Sequence, residues 1–258
     1  MNLTDKAARL RELHHGEGLL VLPNAWDAAS ARVLAGSGFP ALATASYAVS
    51  AVLGHEDGEG APAEAMFAAA ARIAHSVEVP VSVDAESGYG LAPAELAECL
   101  REAGAAGCNL EDTVHGGAAG GGDTLADARA QAERVGALRD ADPDLVINAR
   151  TDVFKEGALP GASAEEILDE AVARARAYLE AGADCVFPIM VVDEATIGAL
   201  AKRIPGPVSV LYRPGMPSLT RLAELGVARV TFGPGLHRAT LALLGDLATQ
   251  IRSGEAPY

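Results

Sequence analysis

The chain has 258 residues and a formal net charge of −15; half of its residues are hydrophobic and 21% are charged. That balance supplies core for one large domain, and the negative charge excludes nucleic acid and anionic membrane as partners, because like charges repel phosphates. Cys99, Cys108 and Cys185 are too few and too scattered for a disulfide framework or a zinc cluster, and Cys108 and Cys185, set in apolar runs, read as small buried residues.

The opening stretch, MNLTDKAARLRELHHGEG, reads as an amphipathic charged helix without the apolar segment of a signal peptide. No apolar run approaches the ~20 residues of a membrane span, so a cytoplasmic protein is expected. One phrase then recurs: a helix tail, a Gly, a small residue and a strand, in LAGSGFPALATAS, REAGAAGCNLED, LEAGADCVFPIM and LAELGVARVTFG. Gly near Gly36, Gly104, Gly182 and Gly226 can close each helix in the left-handed conformation. The runs that follow are apolar on both faces, as strands of a parallel sheet are.

Strands are predicted at 18–22, 40–44, 79–84, 107–111, 145–150, 184–188, 207–211 and 228–232, with helical patterns between them such as PAEAMFAAAARIAHSV and SAEEILDEAVARARAYLEAG. Eight alternations of strand and helix predict an α/β chain folded as a closed (β/α)8 barrel, a single domain over 1–258. The rival, a doubly wound open sheet, would show a Gly-rich fingerprint after its first strand, and VLPNAWD has no Gly.

A barrel of this kind carries its chemistry at the C-terminal ends of its strands. The first strand ends in Asn24, Trp26 and Asp27. The second ends in Ser46 and Tyr47, followed by a long loop carrying His55 and Asp57. The third ends in Asp84 and Glu86, the fourth in Asn109, Glu111 and Asp112, the fifth in Asn148, Arg150 and Asp152. Asp84 and Glu86 are two apart, as are Asn109 and Glu111, and Asn148 and Arg150, so each pair is expected to share a strand face. Polar residues on an inward face are costly unless paired or bound to a ligand.

Crowded carboxylates call for a cation, and acidic oxygen ligands without a His or Cys cluster select a hard divalent ion, Mg²⁺ or Mn²⁺. Strand residues two apart have Cα atoms ~6.6 Å apart, so one or two carboxylates would bind directly and the others through water. Asp84 is the candidate direct ligand. Arg150 offers a planar fork for a carboxylate or phosphonate, or alternatively an internal ion pair with Glu86 or Glu111. Metal and arginine together describe a site for a small dianion, with the metal stabilising an enolate.

VDAESGYG, NLEDT and INARTDVF, preceded by PNAWDAASARVLAGSGFPALATAS, resemble the isocitrate lyase / phosphoenolpyruvate mutase superfamily over about residues 18–240. The resemblance implies a (β/α)8 barrel with Mg²⁺ near Asp84, and Asp57, Glu86 and Glu111 completing its shell. It implies a small 2-oxo or 2-hydroxy acid whose carboxylate is held by backbone amides around Ser46 and Tyr47 and by Arg150, with Asn109 a further substrate contact. It also implies a homo-oligomer, dimer or tetramer, since relatives often exchange a C-terminal helix. Here only SGEAPY follows the last helical pattern.

The departure is after the fourth strand. Family lyases carry a Lys/Arg-Cys-Gly-His lid whose Cys is the acid, and phosphonomutases a Lys-x-Asn-Ser; this chain reads DTVHGGAAGGGDTLAD, with five glycines between Thr113 and Asp123. Segment 112–125 is a candidate mobile lid, and His115 is its one group able to move a proton near neutral pH. Arg150, Glu111 and His115 are thus the candidate catalytic residues. The expected activity is a Mg²⁺-dependent lyase of a small 2-oxo or 2-hydroxy dicarboxylic acid, by decarboxylation of oxaloacetate or retro-aldol cleavage without the Cys acid. A non-catalytic 2-oxo acid binding barrel and a phosphonopyruvate hydrolase or phosphonomutase are the alternatives. FGPGLHRA after the last strand is read as a helix start. Trp26 and Tyr47 could wall or pack the pocket, and His14, His15, His55 and His75 are read as exposed.

Overall fold

The computed structural model describes residues 1–16, 18–116 and 123–258. In chain order its elements are α1 (Leu3–His15), β1 (Leu20–Leu22), β2 (Asn24–Ala25), α2 (Ala28–Gly36), β3 (Leu42–Thr44), α3 (Ser46–Leu53), α4 (Ala63–Ala74), β4 (Val81–Asp84) and α5 (Pro93–Glu102). They continue as β5 (Gly107–Glu111), β6 (Thr113–Val114), β7 (Thr124–Leu125), α6 (Ala128–Ala141), β8 (Val146–Thr151), α7 (Ala164–Glu180), β9 (Cys185–Pro188), α8 (Glu194–Arg203), β10 (Ser209–Leu211), α9 (Leu219–Glu224), β11 (Arg229–Thr231) and α10 (Gly235–Ser253).

Six parallel strands run β2-β3-β4-β5-β8-β9, and three run β1-β11-β10. Two seams join them. On one side β1 and β2 are a single strand interrupted at Pro23, which has no N–H to give; its carbonyl still accepts from Ala43 N at 3.0 Å. Asn24 staples this seam, donating to Thr44 O at 2.8 Å and accepting from Thr231 Oγ1 at 2.6 Å and Phe232 N at 2.8 Å. On the other side a parallel bridge pairs Val186 with Val208. The circuit of eight parallel strands is therefore closed, as the alternation predicts.

Between strands and helices lies the main apolar core, with Leu42, Ile73, Leu96, Leu110, Ile147 and Ile197 all fully buried. Local chemistry sets the helix starts. Asp27 and Ser30 form a capping box on α2, Ser163 and Glu166 another on α7, and Asp127, Asp193 and Ser218 cap α6, α8 and α9. At the helix–strand turns Gly104, Gly182 and Gly226 take the left-handed conformation as expected. At the first of them the turn falls on Gly38, φ +89, while Gly36 remains helical. The expected loop after Tyr47 is instead helical for its first six residues, 48–53, which continue α3 and bury Ala48 and Val49.

The N-terminal helix plugs the lower end of the barrel. Leu10 is fully buried there with Leu20, Leu22 and Val146, and Arg11 and Arg139 clamp Asp184 at 2.6 and 2.5 Å. His14, expected at the surface, is buried beneath the strands: its Nδ1–H donates to Leu10 O at 2.7 Å, and its Nε2 faces Arg229 Nη1 at 3.5 Å. Arg229 is itself fully buried and reaches Asn109 Oδ1 at 3.2 Å and Ser82 Oγ at 3.4 Å. By contrast α10 lies almost free of the barrel; of its 19 residues only His237 is buried. No helix among the described residues is long and apolar enough to cross a membrane.

Burial, helped by the Arg229 charge, pushes the His14 imidazole down to about 4, whereas in an unfolded chain it titrates near ~6.5. The unfolded state therefore binds the extra proton, so this stability is whole above pH ~6.5 and is lost as pH falls toward ~4. In urea unfolding, the native chain should lose about 2 kcal/mol more than a His14→Gln variant between pH 7.5 and 5. Equal losses in the two proteins would show that His14 is not the titrating group.

Candidate active site

Strand register creates the centre of the site. Across β5 and β8, Asn109 pairs with Asn148 and Glu111 with Arg150, so same-face partners meet side by side. Asn148 Nδ2 donates to Asn109 Oδ1 at 2.8 Å. One layer higher Arg150 Nη1 lies 2.5 Å from Glu111 Oε2. The other edge of the guanidinium is bidentate on Asp152, at 2.6 and 2.9 Å. The internal ion pair expected as the alternative is therefore made, with Glu111 and not Glu86. A guanidinium has five N–H donors; Asp152 takes two of them in hydrogen bonds, and Glu111 meets a third nitrogen as an ion pair.

Asp152 is the hub of a second layer. It receives Lys155 Nζ at 2.6 Å and the Thr113 hydroxyl, and its backbone N–H donates to Asp112 Oδ1 at 2.9 Å. Burial alone would raise its carboxyl, but the Arg150 and Lys155 charges outweigh that and hold it below the usual range. Asp112 points outward, to Arg174 at 3.0 Å and the Tyr178 hydroxyl at 2.8 Å. It props Asp152 from behind and does not enter the cavity.

Asp84 ends β4 beside α3. Its Oδ2 accepts from Ser46 N at 3.0 Å, and its own N–H donates to Thr44 Oγ1 at 2.9 Å. Its Oδ1 is buried without any partner. The Ser46 amide expected to hold substrate is thus already engaged, leaving the Tyr47 end of that turn. Glu86 reaches the cavity by a different route from the one expected. The strand stops at Asp84, and Glu86 takes φ +48 in the turn beyond, so the two do not share a strand face. Its carboxylate accepts from Glu59 N at 2.6 Å and Tyr89 Oη at 2.5 Å. Glu59 closes the loop by accepting from Tyr89 N at 2.6 Å and Ser87 Oγ at 2.5 Å. Glu59, Glu86 and Tyr89 all carry positive φ, strain that persists only where the surroundings over-determine it.

Negative charge crowds the side of the site that holds Asp57, Asp84, Glu86 and Glu111. Burial, with the Asp84 charge adding to it, pushes Glu86 up to about 7. Asp57, at the exposed rim with its carboxyl turned toward Asp84, is raised for the same two reasons. Glu111 is raised by burial, against the pull of Arg150 and His115. His115 Nε2 approaches Glu111 Oε1 at 2.8 Å, a close ion-pair contact without good hydrogen-bond alignment, and Nδ1 lies 3.3 Å from Asp123 Oδ2. The Glu111 contact, opposed by burial, lifts its imidazole to about 9.

Two adjoining cavities expose these groups. One of about 200 Å³ is lined by Asp57, Glu86, Glu111, His115, Arg150 and Lys155, among others. A larger one of about 470 Å³ is reached by Ser46, Tyr47, Asp84, Asn109 and Arg150. The predicted residues are therefore brought together, and Asn109 sits at the floor. Trp26 is elsewhere: it lines an outer cavity with Arg72 and packs tilted against the His237 ring, centroids 5.1 Å apart. The candidate lid, 112–125, has paired stems, Thr113 with Leu125 and Val114 with Thr124; its residues 117–122 lie outside the described residues. Lys155, Arg213 and Arg238 also line the large cavity, with Arg238 stacked 4.3 Å from the Tyr47 ring centroid. The sequence reading missed all three, although Arg213 in VLYRPG ends the seventh strand of the barrel and the strand-end rule would have found it.

Among the described residues no three His, Cys, Asp or Glu side chains form a ready-made metal cage. What the site offers is one buried, unpartnered carboxylate oxygen on Asp84 amid three raised carboxyls. That donor set suits a hard divalent ion that keeps several waters and takes one or two protein oxygens.

Comparison with known proteins accords with this arrangement. Residues 10–252 match the family model of phosphoenolpyruvate phosphomutase. An uncharacterized protein of Mycobacterium tuberculosis (strain ATCC 25618 / H37Rv) is 34% identical over 95% of this chain and 89% of its own. The 2,3-dimethylmalate lyase of Eubacterium barkeri is 32% identical over 96% and 87%. Among solved structures, a candidate phosphonomutase from Burkholderia cenocepacia J2315 superposes with a TM-score of 0.86 at 42% identity, covering 95% of this chain and 100% of that one. The chain belongs to the isocitrate lyase / phosphoenolpyruvate mutase superfamily.

Proposed function

We propose that the protein is a divalent-metal-dependent carbon–carbon lyase acting on a small 2-oxo or 2-hydroxy dicarboxylic acid by way of an enolate. The observation that carries this reading is Asp84 Oδ1, buried without a partner beside Arg150 in a cavity of otherwise raised carboxyls. Asp84 would hold Mg²⁺ or Mn²⁺ directly, with Asp57, Glu86 and Glu111 around it. Bound there, the ion supplies Lewis-acid stabilisation of the enolate oxygen.

The chain's own residues do the rest. The N–H groups of Arg150 that Asp152 leaves free take the substrate carboxylate, with help from the Tyr47 end of α3 and from Asn109. Asp152, Lys155 and Glu111 hold the guanidinium still, which is what positions a substrate for reaction. Glu111 also orients His115, and His115 protonates the enolate carbon after the C–C bond breaks. Loss of CO₂ leaves only that proton to be supplied, so decarboxylation suits a chain without the lid cysteine. Segment 112–125 covers the cavity during turnover, and the whole chain acts as one domain in the cytoplasm.

A second reading, P–C chemistry on a phosphonate, is favoured by the family model and by the 31% identity to the phosphoenolpyruvate phosphomutase of Streptomyces hygroscopicus. The lid sequence, which lacks Lys-x-Asn-Ser, weighs against it. The oligomeric state is part of the same proposal. Leu241, Leu243, Leu244 and Ile251 on α10 are each more than half exposed, an apolar stripe that a second copy of the chain would cover.

The first test is pyruvate release from oxaloacetate, 2,3-dimethylmalate and 2-methylisocitrate, and phosphate release from phosphonopyruvate, each with Mg²⁺ and with EDTA. Metal-dependent pyruvate from a dicarboxylic acid is expected; phosphate alone would move the assignment to P–C chemistry. Asp84→Asn should lower kcat/KM by about a thousandfold and abolish Mn²⁺ binding in calorimetry; retention of both would remove Asp84 from the metal. Arg150→Lys keeps a charge between Glu111 and Asp152, avoiding the ~3–5 kcal/mol cost of unpairing them, but loses the fork. KM should rise about tenfold or more, and an unchanged KM would take Arg150 out of the substrate site. For the assembly, light scattering should give a dimer or tetramer that a Leu243→Lys, Leu244→Lys double variant converts to monomer.

A further inference from the structure

The large cavity has two chemically different halves. Toward β4, β5 and β8 it is polar, walled by Asp84, Asn109 and Arg150; toward β9, β10 and β11 it is apolar, walled by Phe187, Ile189, Leu211, Tyr212 and Phe232. Tyr212 and Phe232 are in ring contact at 5.8 Å. Its 470 Å³ is room for roughly fifteen water-sized groups, against about nine non-hydrogen atoms in a four-carbon oxo diacid. A small dicarboxylate would fill the polar half and leave the aromatic half to water, where apolar wall is wasted.

At the end of the apolar half stands Arg213. Its backbone N–H donates to Met216 Sδ at 3.2 Å and its Nη1 to Met190 Sδ at 3.5 Å. Thioethers are weak acceptors that neutralise nothing, and among the described residues no carboxylate lies within 4.0 Å of this guanidinium. Arg150 is saturated on two sides by carboxylates, and Arg238 rests on the Tyr47 ring; Arg213 alone among the three has only sulfur beside it. Met190, which touches it, holds φ +74, one of four non-glycine residues with positive φ among the described residues. The other three, Glu59, Glu86 and Tyr89, support the carboxylate cluster.

We infer that the substrate is a 2-oxo or 2-hydroxy acid carrying a hydrocarbon arm with an anionic end, and that Arg213 is the residue that reads that end. This deepens the proposed lyase reading and rests on it. The reacting 2-oxo carboxylate sits at Arg150, the arm lies along Phe187, Leu211 and Phe232, and the distal carboxylate pairs with Arg213. Each methylene buried on that wall should tighten binding about fourfold until the arm spans the cavity.

The test is calorimetric binding of non-reacting probes in the presence of Mg²⁺: oxalate, 2-oxoglutarate, 2-oxoadipate, 2-oxosuberate and 2-oxooctanoate. Affinity should rise along the three oxo diacids, and 2-oxosuberate should bind at least about tenfold more tightly than 2-oxooctanoate, which has the same arm without the distal charge. In Arg213→Met that ratio should collapse toward one. Binding of oxalate with no gain along the diacid series, or equal binding of the two eight-carbon probes by the native chain, would overturn the inference and leave the lyase reading standing. Failure of oxalate as well would overturn the site reading beneath it. The length series needs no variant, so a poorly folding Arg213→Met protein would not blunt the test.

Discussion

The Glu111–Arg150 pair is the constraint on which the rest of the site depends. It exists because β5 and β8 pair in one register, with Glu111 opposite Arg150 and Asn109 opposite Asn148. A slip of one residue would turn all four side chains to the wrong face of the sheet. Burying a guanidinium among carboxylates is expensive, and its attraction to them repays the cost only when geometry is tight and the remaining donors are used. The chain meets that condition with Asp152, which grips the second edge of Arg150 and is itself held by Lys155, Thr113 and the Asp112 carboxylate, which accepts its backbone N–H. Arg174 and Tyr178 on α7 then hold Asp112, so a helix on the outside of the barrel is mechanically connected to the inner face.

Even so, the smaller of the two cavities has more acid than base. There Asp57, Glu86, Glu111 and Asp123 face His115, Arg150 and Lys155, and the raised carboxyls of Asp57, Glu86 and Glu111 are the result of burial with like charge nearby. The strain at Glu59, Glu86 and Tyr89 belongs to the same account. Mutual repulsion would swing Glu86 out toward water, and the Glu59 amide and Tyr89 hydroxyl hold it in. Three left-handed residues thus serve to keep one acid inside the cavity.

Much of this was legible in the sequence, and the misses have physical reasons. The strands were readable because parallel barrel strands are apolar on both faces and each is announced by a helix-terminating glycine. That Asp84, Glu111 and Arg150 would meet at one mouth was readable because the strand ends of such a fold converge there. Glu86 was rightly put in the cavity for the wrong reason, since strand parity assumed a strand that stops at Asp84. The helix after Ser46 was missed because its small residues serve turns as well as helices. His14 was misread because a charged N-terminal helix gives no sign of which face will plug a barrel; that depends on Arg229, more than two hundred residues away. Arg213 was overlooked because attention followed the acids, and a lone arginine after an apolar strand resembles any surface cation until the emptiness around it is seen.

The division of the cavity follows from how a closed barrel is made. Every strand end points to the same mouth, yet each is followed by its own loop, so one arc of the ring can hold a fixed chemistry while the opposite arc is rebuilt for a different substrate. In this chain the arc from β3 to β8 carries the acids and Arg150, and the arc from β9 to β11 carries aromatic and aliphatic wall with Arg213 at its edge. Membership of the superfamily speaks to the first arc. The second arc is where the proposed choice of substrate lies, with a guanidinium that has no carboxylate partner among the described residues at the end of an apolar wall. Water solvates Arg213 at no cost, but each water-filled volume beside Phe187 and Phe232 sacrifices contact that a hydrocarbon arm would recover.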